Sequence, residues 1–365
     1  MKKIPLGQII ELAQVKRAGK DSFPILSMTM RGGLVDQADK FSKRIASADT
    51  ATYKVVDRGQ LVVGFPIDEG VLAFQRLYDA GIVSPAYNIW DVRENISVNR
   101  KYLERFLRSP LAITYYKSKL RNTTARRRSL PNDIFQALPV PLPPIAEQER
   151  IVNLLDEADE IRKLRSQADD RTTESIPALF HEMFGDPDTN PKKLPIVTLG
   201  TLLQFRTGKL DSNAAVEGGA YPFFTCSRED FRINSYAFDC EALLLAGNNA
   251  TADYSVKHYK GKFNAYQRTY VLNLLNREHS YGFMQQAMEL RLRELKRVSL
   301  GTGTKYLTLD ILKKIKIPLP TSVLQAEFAK KVLEIREFQT KQAAGRQRLD
   351  DLFRSMLHRA FSGEL

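Results

Sequence analysis

The sequence predicts an α+β protein laid out as a pseudo-two-fold tandem repeat. Two modules of mixed α/β structure are separated by two long antiparallel helices that form a coiled-coil-like spacer. Three observations lead there. A shift of 177 residues brings one half onto the other, two stretches of about 40 residues carry helical apolar spacing, and charge alternates in blocks along the chain.

The blocks set the boundaries. Residues 1–143 hold 23 Lys/Arg against 13 Asp/Glu, and residues 144–190 hold 5 against 12. Residues 191–320 hold 19 against 11, and residues 321–365 hold 8 against 6. Two basic modules, 1–143 and 191–320, thus alternate with two helices, 144–190 and 321–365. A net charge of +13 over 365 residues favours a polyanionic partner. The two cysteines, Cys226 and Cys240, leave no disulfide framework and suit a reducing cytoplasm. Neither a signal peptide nor an apolar run of membrane-spanning length is visible, so a soluble cytoplasmic protein with no membrane partner is expected.

The first module reads as strand at Phe23–Met28, Leu61–Phe65 and Ala86–Trp90, then as helix over Tyr102–Leu120. At its end, Pro143-Pro144 precedes apolar residues at Ile151, Leu154, Leu155, Ala158, Ile161 and Leu164, with Glu147 and Glu149 in the first turn, where the helix dipole favours acid. Pro177 predicts a break near Ser175. The second module repeats the order, with strands at Leu243–Leu245 and Thr269–Leu272 and a helix over Tyr281–Leu292. A second long helix carries Phe328, Val332, Ile335, Phe338, Leu349, Leu352, Phe353, Met356 and Phe361, with Gly345 near its middle.

The 177-residue shift matches Asp133-Ile134 to Asp310-Ile311, Pro141-Leu142-Pro143 to Pro318-Leu319-Pro320, Gln148 to Gln325, His181 to His358 and Phe184 to Phe361. Upstream, Ile4–Gly7 resembles Ile196–Gly200, and the run Gly59–Gly64 resembles Glu241–Ala246. Each helix has a single apolar stripe and needs a partner to bury it, and the other copy is that partner.

The run Leu138-Pro139-Val140-Pro141-Leu142-Pro143-Pro144-Ile145-Ala146-Glu147-Gln148-Glu149-Arg150 resembles the signature that opens the central helix of type I restriction–modification specificity subunits (HsdS). Ala360-Phe361-Ser362-Gly363-Glu364-Leu365 resembles that family's ending, and Tyr306–Pro320 its second junction; Thr321–Leu324 departs from the Pro-Ile-Ala-Glu of the first. The resemblance implies two target-recognition domains, each reading one half of a bipartite, asymmetric site in double-stranded DNA. The helices would set the gap and bind two modification subunits that methylate adenine, with an ATP-driven restriction subunit as a further partner. S-adenosylmethionine, ATP and Mg would belong to those partners and no cofactor to this chain. Half-site centres about 34–36 Å apart would keep both modules on one face of the duplex.

Candidate DNA contacts come first from the segments before the two junctions. Arg126, Arg127 and Arg128 stand where Thr302, Thr304 and Lys305 stand in the second copy: cations to neutralise phosphates, small residues for close backbone approach. Further cations are Lys43, Arg44, Arg206, Lys209, Lys257 and Lys260. Asn248 and Asn249 suit adenine edges, and Arg268 suits guanine.

Catalytic readings fail on pattern. Gly301-Thr302-Gly303-Thr304-Lys305 lacks P-loop spacing, no Asn/Asp-Pro-Pro-aromatic tetrapeptide is present, and the four histidines form no metal-ligand spacing. A non-catalytic recognition subunit is expected. The alternatives are a specificity subunit of a related restriction system and an adaptor that never touches DNA.

Overall fold

A computed structural model describes every residue except 1, 31, 41–49, 121–127, 228, 230, 250–253, 299–304 and 365, and nothing is said of the side chains of 40, 248–249, 294–298 and 305–306. The chain divides into two compact units, residues 1–165 with 346–365 and residues 166–345.

In the first unit, strands β2 (Ile10–Leu12), β6 (Leu61–Val63), β7 (Leu72–Phe74) and β9 (Asn88–Val92) form an antiparallel sheet in the order β2-β9-β6-β7. The run Leu61-Val62-Val63 is apolar without alternation because both faces of the sheet are covered. Leu61 and Val63 join one core with Trp90, while Val62 joins another with Ile89. Paired strands β3 (Leu26–Thr29) and β4 (Gly33–Asp36), and β5 (Lys54–Asp57) and β8 (Ala80–Val83), flank the sheet, with a short helix α1 (Gln37–Lys40) between β4 and β5. β1 (Lys3–Pro5) pairs with β10 (Pro139–Pro141), tying the start of the module to its end.

The expected helix Tyr102–Leu120 is two helices, α2 (Arg100–Leu107) and α3 (Pro110–Lys119). Pro110 has no N–H to continue α2, and the buried Ser109 hydroxyl accepts from the Ala112 N–H at 3.4 Å, starting a new helix. A short α4 (Asn132–Gln136) leads to β10, and α5 (Ile145–Thr173) follows. The break expected near Ser175 is present. α6 (Ser175–Phe184) is separated from α5 by Glu174 alone, with Pro177 in its first turn.

The second unit opens with β11 (Ile196–Thr198), α7 (Leu199–Leu202) and β12 (Leu203–Thr207). β13 (Tyr221–Phe224), β14 (Phe231–Ile233), β15 (Phe238–Ala246), β16 (Asn248–Asn249), β17 (Val256–Ala265) and β18 (Thr269–Leu274) follow. The sheet has six strands in the order β12-β18-β15-β17-β13-β14, with only β13–β17 parallel. α8 (Tyr281–Val298), β19 (Lys305–Tyr306), α9 (Leu309–Lys314), β20 (Lys316–Pro318) and α10 (Ser322–Ser362) complete the chain. Leu243 and Leu245 face one core and Ala242 and Leu244 the other, the same division seen in β6. β11 pairs with β20 as β1 pairs with β10, so the loose match of Ile4–Gly7 to Ile196–Gly200 reflects one structural frame used twice.

α10 is unbroken through Gly345 for 41 residues, about 60 Å at 1.5 Å per residue. Each unit takes part of both long helices, and in each the two run antiparallel. In the first, Arg162 of α5 donates to Asp350 of α10 at 2.8 Å and lies over the Phe353 ring, while Ile151 and Leu155 share a core with Ala360 and Phe361. In the second, Gln339 donates to the Thr172 carbonyl at 3.0 Å, one of those left without a helical partner where α5 ends, and Phe180 and Phe184 pack on Phe328.

The repeat matches at Gln148 and Gln325 now have a physical meaning. Both side chains are fully buried at the head of a long helix. Gln148 donates to the Pro143 carbonyl at 2.8 Å and accepts from the Asn99 N–H at 2.8 Å. Gln325 donates to the Pro320 carbonyl at 2.9 Å and accepts from the Ser280 N–H at 3.0 Å. Each glutamine thereby clips the Pro-rich junction to the start of the module's own helix, α2 or α8. Among the described residues no helix is long and apolar enough to cross a membrane.

Candidate DNA interface

The six-stranded sheet brings several distant segments together at one end, where β12 and β15 finish and β18 begins. The Gly208 N–H faces the Thr269 carbonyl at 3.4 Å, and Gln267 donates to the Leu210 carbonyl at 2.9 Å. Gly247 donates to the Arg268 carbonyl at 2.8 Å, and Leu307 donates to the Gly247 carbonyl at 3.0 Å. β16 pairs with β19, setting Asn248 opposite Tyr306 and Asn249 opposite Lys305. The segments carrying Lys209, Asn248, Asn249, Arg268 and Lys305, spread over nearly a hundred residues of sequence, therefore meet at one edge.

Two glycines allow this convergence. A Cβ on Gly208 would lie 1.7 Å from the Ala265 carbonyl oxygen, and one on Gly247 would lie 2.8 Å from the Tyr270 ring. The Tyr270 hydroxyl donates to the Leu307 carbonyl at 2.8 Å, and burial raises its pKa above the usual phenol value. Lys209 and Arg268 are exposed and have no carboxylate partner among the described residues. A ring of backbone turns carrying exposed cations can accept phosphates and present base-reading groups.

The other candidates of this unit lie along the strands. Arg206 donates to Asn273 Oδ1 at 2.8 Å and lies over the Phe238 ring at 5.1 Å. Lys257 is half-buried beside the Phe224 ring, and Lys260 faces Glu241 at 3.3 Å. These three are not part of the loop cluster.

In the first unit, Arg128 occupies the place of Lys305 in the repeat and docks alike. The Ile67 N–H donates to the Arg128 carbonyl at 3.0 Å, tying it to the segment that follows the central strand β6, as Lys305 pairs with the segment that follows β15. Its guanidinium, however, is held by Asp68 at 3.1 Å and by Glu69. These two carboxylates had no sequence signal, being about 60 residues away. A tyrosine ring seated on the glycine after each central strand, Tyr87 on Gly64 and Tyr270 on Gly247, was also missed, although a glycine closing each apolar run was visible. Lys43, Arg44, Arg126, Arg127, Thr302 and Thr304 lie outside the described residues, as do the side chains of Asn248, Asn249 and Lys305. Among the described residues no group of three or more His, Cys, Asp or Glu could hold a metal ion.

The fold defines a class: a protein of two α+β units on one repeated frame, each braced by antiparallel segments of the same two long helices. Residues 191–340 match the family model of the type I restriction modification DNA specificity domain. The type I restriction enzyme EcoDI specificity subunit of Escherichia coli is 40% identical over 146 residues, 38% of this chain, and the match spans only 31% of that protein. The type I S subunit of M. genitalium has the same fold, with a TM-score of 0.58 and 15% identity over 99% of this chain and 96% of that one. A chain from a structure on complex assembly and conformational transition of the type I R-M system reaches 0.67 with 17% identity, over 100% and 98% of the two chains. Residues 191–340 are thus similar to type I restriction modification DNA specificity domains, and the fold of nearly the whole chain is like that of the solved type I S subunit.

Proposed function

We propose that the chain reads a bipartite, asymmetric DNA site, one half per unit, and scaffolds two adenine-methylating modification subunits and, with them, a restriction subunit. The observation that carries this reading is the loop cluster at the sheet end of the second unit, inside the segment matched by the DNA specificity domain, together with its counterpart at Arg128. In this reading the long helices fix the distance between the two half-sites. The chain itself catalyses nothing. S-adenosylmethionine, ATP and Mg are used by the partners, and the complex works in the cytoplasm.

The test is to sequence DNA from cells that express the chain with its cognate modification subunit and to map methylated adenines. A split motif with a fixed unread gap is expected, one half of which changes when one module is exchanged. An assembled, S-adenosylmethionine-bound complex that leaves no motif would sink the reading and favour the adaptor.

A further inference from the structure

In the second unit an open cleft of about 800 Å³ lies between the sheet, the N-terminal end of α8 and the first turns of α10. Its cationic groups are Lys260, Arg277 and Arg336, and among its lining residues only Glu241 is acidic. That carboxylate is already engaged by His258 at 2.9 Å and Lys260 at 3.3 Å. Arg277 is exposed, with no partner among the described residues. The wall formed by α10 is apolar, and its Leu333 is 68% exposed, although neighbouring Val332 is buried.

The first unit has a cleft in the matching position, against α2 and α5, of about 330 Å³. It is also rich in arginine, but its charges are satisfied internally. Arg76 meets Glu104 at 3.0 Å, Arg105 meets Asp156 and Asp159 at 2.6 and 2.7 Å, and Lys101 also pairs with Asp156. Asp159 and Arg336 are partners at the 177-residue shift, so one repeat position supplies a neutralising acid in the first cleft and an additional cation in the second.

We propose that the cleft of the second unit docks an acidic segment of a protein partner, with an apolar side chain seated on Leu333. Three cations stand against one carboxylate beside an apolar wall: Lys260 shares Glu241, Arg336 donates to Gln285 at 2.8 Å, and Arg277 has no partner among the described residues. That excess of positive charge fits carboxylates flanking an apolar anchor, the arrangement in which charge steers and burial holds. DNA phosphates would satisfy the cations but leave Leu333 in water. Glu241, beside Lys260, also stands five residues along β15 from Ala246, about 17 Å from the loop cluster at 3.4 Å per residue. The inference rests on the proposed scaffolding function only in taking the partner to be a protein of the same assembly.

The experiment uses the full chain co-expressed with its cognate modification subunit, with a photo-cross-linking amino acid in place of Leu333. The expected adduct, mapped by mass spectrometry, is an Asp/Glu-rich segment of that subunit. The double variant Arg277→Glu, Leu333→Glu alters two exposed positions and should weaken assembly at least about tenfold, the scale of losing a central anchor, while duplex binding is retained. Reversing the charges of the cross-linked segment to lysine should restore assembly. Cross-links to DNA alone, no adduct in the assembled complex, or unchanged affinity of the double variant would overturn the proposal. A complex that methylates its split motif but ignores the double variant would reject the docking site and leave the DNA-reading function standing.

Discussion

The two units share a frame and differ in what the frame displays. Both close their module with a strand pair (β1–β10, β11–β20) and clip it to the spacer through a buried glutamine. Both receive a phenylalanine from the C-terminal end of a helix, Phe361 from α10 and Phe184 from α6. Phe361 packs edge-on to Tyr102 and Phe106 at 5.5 and 5.4 Å, and Phe184 packs on Phe283 at 5.2 Å. The central sheets, by contrast, have four and six strands, and while the first unit holds its Arg128 guanidinium on Asp68 and Glu69, the second leaves Lys209 and Arg268 exposed at its sheet end. Clipping a module to its helices is therefore one problem solved twice, whereas the exposed loop ends differ, which fits the proposed reading of two different half-sites.

The largest effects should come from breaking the shared part. Phe184→Ala and Phe361→Ala each remove a fully buried ring, which typically costs about 3–5 kcal/mol. Hydrogen exchange followed by mass spectrometry should show residues 166–345 loosening in the first variant and residues 1–165 in the second. Loss of protection spread evenly over both units would contradict the division into two cores.

Somewhat smaller losses are expected from Gln148→Leu and Gln325→Leu. Each leaves a proline carbonyl and a helix-start N–H without partners, at about 1–3 kcal/mol per orphaned group. Denaturant midpoints should fall in both. Replacement by Glu, which keeps the acceptor but buries a carboxylate against the same proline carbonyl, should recover nothing at neutral pH.

The shared frame was the part most legible in sequence, because its geometry is local and periodic. A helix that must start after Pro143 or Pro320 fixes Gln148 and Gln325 five residues later, and a proline two residues into a helical turn announces the break at Ser175. The unshared part was legible only in fragments. Lys209, Asn248 and Arg268 each carry suitable chemistry, but their meeting depends on strand order, which apolar runs do not encode. Arg128 looked available because a local window cannot show Asp68 and Glu69 arriving from another loop. The helix Tyr102–Leu120 was overextended because its apolar spacing continues through Ser109-Pro110, where the covalent ring of proline overrides periodicity.

The same contrast sharpens at the DNA. Lys209→Ala should weaken duplex binding and flatten its dependence on log salt by about 0.9, the slope expected for one phosphate contact. Arg128→Ala should change the salt slope less, since Asp68 and Glu69 already neutralise that guanidinium. Fluorescence anisotropy of the assembled complex between about 50 and 200 mM salt would compare them. Equal slopes would mean that Arg128 leaves its carboxylates on binding.

The smallest and most discriminating effect is one of pH. Asp156 in the first unit is partly desolvated, which alone would raise its pKa, but hydrogen bonds and attraction from Lys101 and Arg105 outweigh this and hold it below its ordinary 3.8. Its contribution is present above that ordinary value and disappears as pH falls through the depressed one. Glu289 of α8 in the second unit behaves in the opposite sense. Burial raises its pKa despite hydrogen bonds from Val256 and Gln285 and the nearby Arg336 and Arg293. It therefore favours folding below its ordinary value of 4.5 and loses that contribution as pH rises through the raised one. Acidification from neutrality should remove support from the first unit at Asp156 and add it to the second at Glu289. Hydrogen exchange compared between wild type and Asp156→Asn or Glu289→Gln would read the two contributions separately. The first variant should blunt the acid response of α2 and α5, and the second should raise the neutral-pH protection of α8 toward its acid value. A common response of both helix pairs would mean that the two locks share one polarity, against the reversal seen between Asp159 and Arg336.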